Sequence, residues 1–291
     1  MSKRLPKGNM SILDFQKRFD TEDKCREYFI HLRFPNGFKC PHCGGTACGQ
    51  IKTRSLLRCK TCRKQISVTS GTVFHRTHLT LLQIVWGMYL FATDKRGCSA
   101  VQIQRNLKVN YDTALYLLQR LRHAMKSRDE RYMLQYVVEL DDTYVGTATR
   151  GKKRGRGTEK AKVIVAVSQT ENGKAGFIKM QTVSDLKSTT YGKFAERYIV
   201  HGSHVESDGF RSLKKGLSEK YFVNYQTFSP EKEMLLNLHT AISNMKALLK
   251  GTYHGVTKAR LQEYLDEFCF RFNRKRFGIH LFDRLAIAVF S

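Results

Sequence analysis

Four cysteines of the chain form two Cys-x2-Cys pairs, Cys40 with Cys43 and Cys59 with Cys62, and fifteen residues separate the pairs. Two close thiol pairs at this spacing are the ligand set of a tetrahedral structural zinc site. The pattern predicts a zinc ribbon whose Zn²⁺ has four protein ligands and therefore no open position for chemistry. The alternative is a group of buried structural thiols. Cys48 lies outside the paired spacing and is not expected to be a ligand.

Carboxylates occur in two segments with the composition of β-strands. Residues 137–146 read VVELDDTYVG and contain Asp141, and residues 204–209 read HVESDG and contain Asp208. Acidic residues are depleted from strands, so these positions call for an explanation. Carboxylates on adjacent strands bind Mg²⁺, and two such ions about 4 Å apart promote phosphoryl transfer. The alternative is that the aspartates cap turns or helices.

The charge of the chain points to a polyanionic partner. Its 51 Lys and Arg residues face 25 Asp and Glu residues, a formal net charge of +26. Double-stranded DNA is the simplest such partner, because each neutralised phosphate releases counterions. A membrane surface is the rival, but the sequence has no lipidation motif, and the apolar run Leu79–Phe91 is shorter than the roughly 20 residues of a membrane span. With no signal peptide evident, we expect a cytoplasmic, nucleoid-associated protein.

The element pattern indicates an α/β protein in three parts. Residues 1–75 are predicted to hold N-terminal helices and the zinc ribbon, and residues 76–130 a helix-turn-helix DNA-binding region. Residues 131–291 read as strand-strand-strand-helix-strand-helix followed by further helices, which is compatible with an RNase H-like core.

Cations in two regions are predicted to contact DNA. The first is a glycine-rich basic loop within residues 150–157, which would act as a phosphate clamp. The second is the predicted helix Asp112–Lys126. The residues singled out are Lys152, Lys153, Arg154 and Arg156 in the loop and Arg120 and Arg122 on the helix.

The chain resembles the zinc-ribbon insertion-sequence transposases of the ISXO2-like (IS1595) family over nearly its whole length. The matching stretches are CPHCGG with CKTC, the helix-turn-helix, VELDDTYVG, GKKRGRG, ESDGF, HTAISNMKALLKGTYHGV and LQEYLDEFCFRFNRKRF. The family pattern has a glutamate and a second glycine where this chain has Asp142 and Thr147, which are mild departures.

The resemblance implies site residues and a reaction. Asp141 and Asp208 would be the first and second catalytic carboxylates, and Asn244 the third Mg²⁺ ligand. Lys246 and Lys250 would contact DNA. Alternative third ligands are Glu231, Glu233 and Glu267.

The implied activity is that of a DD(E/D/N) transposase, an enzyme that binds the ends of an insertion sequence, cleaves them and transfers the strands using two Mg²⁺ ions. Two ends must be held together, so a homo-oligomer on DNA is expected. Three alternatives stay open: a domesticated, catalytically inactive DNA-binding regulator, an RNase H-type nuclease acting on RNA–DNA hybrids, and a zinc-ribbon transcription factor. The last leaves Asp141 and Asp208 without a role.

Overall fold

The chain forms two compact units in a computed structural model. The structure describes residues 11–51, 54, 56–146, 159–208, 211–217, 220–225, 234–254 and 256–290. Unit 1 comprises Met1–Ala124 and Phe277–Ser291, and unit 2 comprises Met125–Arg276. Within the described residues, no helix has the length and apolar character needed to cross a membrane.

Unit 1 begins with two short helices whose first residues are set by side-chain caps. Helix α1 (Ile12–Arg18) starts with a reciprocal pair of hydrogen bonds between Ser11 and Asp14, and Thr21 caps α2 (Glu22–Arg33). The predicted N-terminal helices are therefore present.

The rest of unit 1 contains a small sheet and further helices. Strands β1 (Cys48–Ile51), β2 (Leu56–Cys59) and β3 (Gln65–Ser67) pair antiparallel in sequence order. Helix α3 (Leu81–Thr93) is the predicted apolar helix. Helices α4 (Ala100–Leu107) and α5 (Tyr111–Asp129) are joined through Lys108, whose backbone is left-handed. The two helices of the predicted helix-turn-helix are therefore present, whereas their role in binding DNA remains a prediction.

The last helix, α10 (Leu281–Phe290), was not predicted, and it belongs to unit 1. The ring of Phe282 lies 5.2 Å from that of Phe15, and Phe290 lies 5.0 Å from Phe29. The sequence predicts that residues 131–291 form one domain. In the structure α10 instead belongs to unit 1, because its apolar face packs on α2 and α3. Likewise, residues 1–75 and the helices that follow them belong to one compact unit.

Unit 2 is built on a five-stranded mixed sheet. Its strands are β4 (Val137–Val145), β5 (Ala161–Gln169), β6 (Ala175–Val183), β7 (His204–Ser207) and β8 (Phe222–Tyr225). They lie in the order β6-β5-β4-β7-β8. β4, β5 and β6 pair antiparallel, whereas β4 with β7 and β7 with β8 pair parallel. The strands before β8 were predicted and β8 was not, but the predicted α/β class is confirmed.

Helices cover both faces of this sheet. On one face α6 (Ser188–Tyr198) and α7 (Arg211–Leu217) bury Val138, Leu140 and Val205. On the other face α8 (Leu236–Gly251) and α9 (Leu261–Asn273) bury Val163, Val165 and Val167. Side chains alternate between the faces along each strand, so the two cores determine which face every strand residue occupies.

Candidate metal centres and nucleic-acid contacts

The four predicted zinc ligands converge in unit 1. The thiols of Cys40, Cys43, Cys59 and Cys62 all lie within 4.8 Å of one another, and no other group of three or more His, Cys, Asp or Glu in the described ranges does so. Their sulfurs are 3.7 Å apart for Cys40 and Cys62, and 3.6 Å apart for Cys43 and Cys59. A tetrahedron with Zn–S bonds of about 2.3 Å has edges of about 3.8 Å. The thiols therefore fit Zn²⁺, and Cys48 is not among them.

Backbone geometry prepares both cysteine pairs in the same way. The Gly44 N–H donates to the Cys40 carbonyl at 2.9 Å, and the Arg63 N–H donates to the Cys59 carbonyl at 3.0 Å. The pKa of the Cys59 thiol is lowered to about 6, mainly because the Cys62 backbone N–H donates to it. Thiolate is the form that binds metal, so this N–H group favours the liganding state of Cys59.

Asp141 and Asp208 lie on neighbouring parallel strands. Val138 pairs with Val205 and Glu139 with Glu206, and the same register continued two residues further places Asp141 opposite Asp208. Val138 and Leu140 face the α6 core, so Asp141, which follows them in alternation, faces the α8 side. By the same alternation from Val205, Asp208 faces that side too. The observed pairing ends at Glu139 and Glu206, and its continuation predicts that both carboxylates lie at one end of the sheet, on one face.

Asp142 points to the opposite face. The buried Tyr191 hydroxyl of α6 donates to its Oδ1 at 2.6 Å. The pKa of Tyr191 is raised strongly, first by burial, then by its hydrogen bond to Asp142 and by the charges of Asp142, Asp141 and Asp208. Three carboxylates therefore act on one buried hydroxyl group. Tyr191 was not singled out from the sequence, since only folding brings it to Asp142.

Glu139 forms a polar cluster on the α8 side of the sheet. Its side chain is 1% exposed. It accepts hydrogen bonds from the Leu238 N–H at 2.7 Å, from Asn237 Nδ2 at 2.8 Å and from Gln169 Nε2 at 3.0 Å. Gln169 Nε2 also lies 3.3 Å from Glu206 Oε2. One cluster therefore joins β4, β5, β7 and the first turn of α8.

Asn244 lies on α8 and is exposed. It follows Asn237 by two turns on the same stripe of the helix. The C-terminal half of α8 runs toward the end of β4, because Val145 and Ala161 pack against the core cluster that contains Met245 and Leu249. Two turns correspond to about 10 Å, or about three strand residues beyond Glu139. This spacing is compatible with Asn244 near Asp141, and its role as the third ligand remains a prediction.

Of the three alternative third ligands, the structure describes only Glu267. Glu267 is 0% exposed, and it accepts hydrogen bonds from Tyr253 at 2.8 Å and from Arg271 at 2.9 Å, so it serves packing between helices. Glu231 and Glu233 lie outside the described residues. The carboxylates of Asp141 and Asp208 with the amide oxygen of Asn244 remain the predicted ligand set, and hard oxygens of this kind are the ligands that Mg²⁺ prefers.

One predicted DNA contact requires correction. Arg122 is 2% exposed, and its guanidinium lies 5.7 Å from the centre of the Phe91 ring. A side chain so buried has no surface for a phosphate, so we assign Arg122 a packing role. Arg120 is half-buried over Tyr116, at 4.7 Å, and its contact with DNA remains a prediction.

The other predicted DNA contacts divide between described and undescribed parts of the chain. Lys246 and Lys250 are exposed on α8. The basic loop, with Lys152, Lys153, Arg154 and Arg156, lies outside the described residues.

Two family models match the chain. The ISXO2-like transposase domain matches residues 133–273, and the transposase zinc-ribbon domain matches residues 20–65. No match was found among the curated proteins.

Several solved structures align with the chain at low similarity. The Mos1 mariner paired end complex with Mn is 13% identical, with a TM-score of 0.29, over 69% of this chain and 76% of that one. A pre-cleavage Mos1 transpososome is 13% identical, with a TM-score of 0.25, over 70% and 78%. The Mos1 transposase paired-end complex with left transposon end is 12% identical, with a TM-score of 0.27, over 69% and 77%. These TM-scores are too low to establish a common fold.

Proposed function

Since the chain belongs to the ISXO2-like (IS1595) family of zinc-ribbon transposases, we propose that it cleaves DNA at the ends of an insertion sequence and joins them to target DNA by metal-dependent phosphoryl transfer. The observation that supports the proposal is the parallel pairing of β4 with β7 over Val137–Glu139 and His204–Glu206, whose register, if continued, would bring Asp141 opposite Asp208. The strand order β6-β5-β4-β7-β8, with helices on both faces, agrees with an RNase H-like core.

Each residue of the site has a distinct part in the proposed reaction. Asp141 and Asp208 supply negatively charged oxygens, and Asn244 supplies a neutral one. When bound there, a pair of Mg²⁺ ions would activate the attacking hydroxyl and stabilise the leaving oxygen. No side-chain nucleophile is required, because water attacks first and the freed 3′ hydroxyl attacks second. Asp208 is exposed and Asp141 half-buried, so we assign the phosphodiester to the Asp208 side of the pair.

We assign DNA binding to cationic parts of the chain that lie apart from these carboxylates. The zinc ribbon and the α4–α5 pair would bind the transposon end, and the basic loop of residues 150–157 would bind phosphates. Joining both ends of one element requires two active sites, so the proposed working form is a homo-oligomer on DNA. These assignments rest on charge and family membership.

The proposed reaction is tested with the DNA that flanks the gene as substrate, in which we expect a pair of inverted repeats. Purified protein is incubated with Mg²⁺ or Mn²⁺, and nicked and joined products are measured for wild type, Asp141→Asn and Asp142→Asn. Asp141→Asn should lower the rate by on the order of 10³-fold, since a metal site provides several kcal/mol of transition-state stabilisation. Asp142→Asn should cost far less, because the Tyr191 hydroxyl still has an oxygen to donate to.

Two results would contradict the proposal. Full activity of Asp141→Asn, or equal losses in both variants, would place the chemistry elsewhere. Binding of the repeats by wild type without any metal-dependent cleavage would instead identify an inactive DNA-binding regulator.

A further inference from the structure

We propose that Glu139 is a positioning residue of the catalytic site, fixing α8 so that Asn244 is presented to Asp141 and Asp208. The inference rests on the proposed function and adds a residue to it. Glu139 lies two residues before Asp141 on β4 and faces the same side of the sheet.

The first argument is the number of donors that converge on one carboxylate. A buried carboxylate is costly unless its oxygens are hydrogen-bonded. Glu139 accepts from a backbone N–H and two side-chain amides, at distances of 2.7, 2.8 and 3.0 Å. Both oxygens are used, Oε1 by Asn237 and Gln169, and Oε2 by Leu238. The carboxylate is therefore held in one orientation between strand and helix.

The second argument is that α8 lacks a cap of its own. Its N-cap residue, Leu235, has a left-handed backbone with φ of 51° and makes no side-chain cap hydrogen bond. The Leu238 N–H in the first turn, which a local side chain usually satisfies, is satisfied by Glu139 from a strand 99 residues away in sequence. A negative charge at this end also interacts favourably with the helix dipole.

The third argument is the link to the strand that carries Asp208. Gln169 donates to Glu139 on β4 and to Glu206 on β7. Glu206 stands two residues before Asp208, as Glu139 stands two residues before Asp141. The cluster thus ties together the three elements that carry Asp141, Asp208 and Asn244, and it lies beneath the site without belonging to it.

These contacts determine where Asn244 lies. Asn237 and Leu238 hold the first turn of α8 at Glu139, and the helix transmits that placement over two turns to Asn244. A shift or rotation of the first turn would carry the Asn244 amide away from the carboxylates. Weaker metal binding is therefore the expected consequence of removing the Glu139 charge.

The test uses Mn²⁺ alone as the probe and the full chain as the protein. Glu139→Gln removes the charge and, in either amide orientation, turns an NH₂ group against at least one donor, either the Leu238 N–H or the amides of Asn237 and Gln169. Free Mn²⁺ is measured by electron paramagnetic resonance, and thermal unfolding is recorded in parallel. We expect the dissociation constant for Mn²⁺ to rise roughly 10- to 100-fold, as it does when other residues that orient metal ligands are replaced.

The matched control is Glu267→Gln, a second fully buried glutamate of unit 2. Its partners, Tyr253 and Arg271, do not involve the first turn of α8. This variant should lower the unfolding temperature and leave Mn²⁺ affinity unchanged. If both variants weaken Mn²⁺ binding alike, or if Glu139→Gln binds as wild type does, Glu139 has no positioning role.

A milder variant covers the case in which Glu139→Gln does not fold. Asn237→Ala removes one donor from the half-buried start of α8 and should raise the dissociation constant about tenfold, the value of one hydrogen bond to a charged group. Unchanged Mn²⁺ affinity in Asn237→Ala would then overturn the inference. Failure of the wild type itself to bind Mn²⁺ would contradict the proposed function instead, so the two failures are distinguishable.

Discussion

At the scale of single residues, the two turns of the zinc ribbon have the same backbone but different side chains. Gly44 has φ of 74° and Arg63 has φ of 58°, both in the left-handed region, and their N–H groups make equivalent hydrogen bonds. Glycine adopts this conformation freely, whereas a residue with a side chain is disfavoured there by roughly 1–2 kcal/mol. The second turn therefore stores strain that the first turn avoids.

This difference predicts opposite effects of two exchanges. Arg63→Gly should slow chelator-induced zinc release, because it relieves the left-handed strain of the second turn. The activation free energy of zinc release should rise by about 1 kcal/mol. Gly44→Ala should speed zinc release, because it introduces comparable strain into the first turn and lowers the activation free energy of release by a similar amount. Zinc release is followed with a colorimetric chelator. If the two variants shift the rate in the same direction, backbone strain does not control the stability of the ribbon.

Some site residues were predictable from residue type and others were not. Asp141, Asp208 and the four cysteine ligands stand in segments whose spacing or strand composition is unusual, so their chemistry is visible locally. Glu139, Gln169 and Tyr191 have roles created by partners 30 to 99 residues away in sequence. Arg122 was mistaken for a DNA contact because its helix position did not reveal that Phe91 and the core would cover it.

At the scale of elements, predictions succeeded where a segment has its own periodicity or cap. Helices α1 and α2 and strands β4, β5 and β6 have such signals. Strand β8 has four residues, two of them exposed, and owes its conformation to pairing with β7. Helix α3 has a local capping box between Thr80 and Gln83, and Glu22 of α2 adds a second cap by accepting from the Leu81 and Leu82 N–H groups at 2.7 and 2.9 Å. Such distant caps cannot be read from neighbouring residues.

Helix α9 protects the outer edge of the sheet. Gln262 accepts from the Thr182 N–H at 2.8 Å and donates to the Met180 carbonyl at 3.1 Å. Asn273 accepts from the Ile178 N–H at 2.7 Å and donates to its carbonyl at 3.2 Å. Two side-chain amides on one helix thus occupy the positions at which another strand would pair with β6.

Removal of one of these amides should destabilise unit 2. Gln262→Leu leaves the Thr182 N–H and the Met180 carbonyl without their side-chain partner, at an expected cost of about 1–3 kcal/mol. The free energy of unfolding is measured by denaturant titration. Gln181→Leu, the same exchange on the adjacent strand residue, should change it by only about 0.5 kcal/mol. Equal effects of the two exchanges would mean that α9 does not protect the edge through Gln262.

At the scale of the whole molecule, the net charge of +26 dominates the expected behaviour toward DNA. Affinity for duplex DNA should fall steeply with salt, since each neutralised phosphate contributes about 0.9 to the slope of log K against log salt concentration. The basic loop is expected to neutralise several of these phosphates. The slope therefore measures how many phosphates the whole chain neutralises when it binds.

Neutralising the loop should reduce that slope. Lys152, Lys153, Arg154 and Arg156 are replaced together by alanine, and binding to a labelled duplex is measured by fluorescence anisotropy between about 50 and 200 mM salt. The slope should fall by about 0.9 for each phosphate that the loop no longer neutralises. Lys24→Ala with Lys220→Ala is the control, because these cations pair with Asp20 and Glu196 and should leave the slope unchanged. An unchanged slope in the loop variant would remove the loop from the DNA-binding surface.

Helix α10 comes last in the sequence, yet Phe282 packs against Phe15 and Phe19 at the start of unit 1. During synthesis the ribosome therefore releases all of unit 2 before unit 1 can close its aromatic core. A polypeptide truncated by a frameshift or a premature stop codon ahead of Leu281 keeps the cysteine ligands but leaves those rings uncovered. Uncovered rings are what chaperones and proteases bind, so damaged gene copies would yield short-lived proteins.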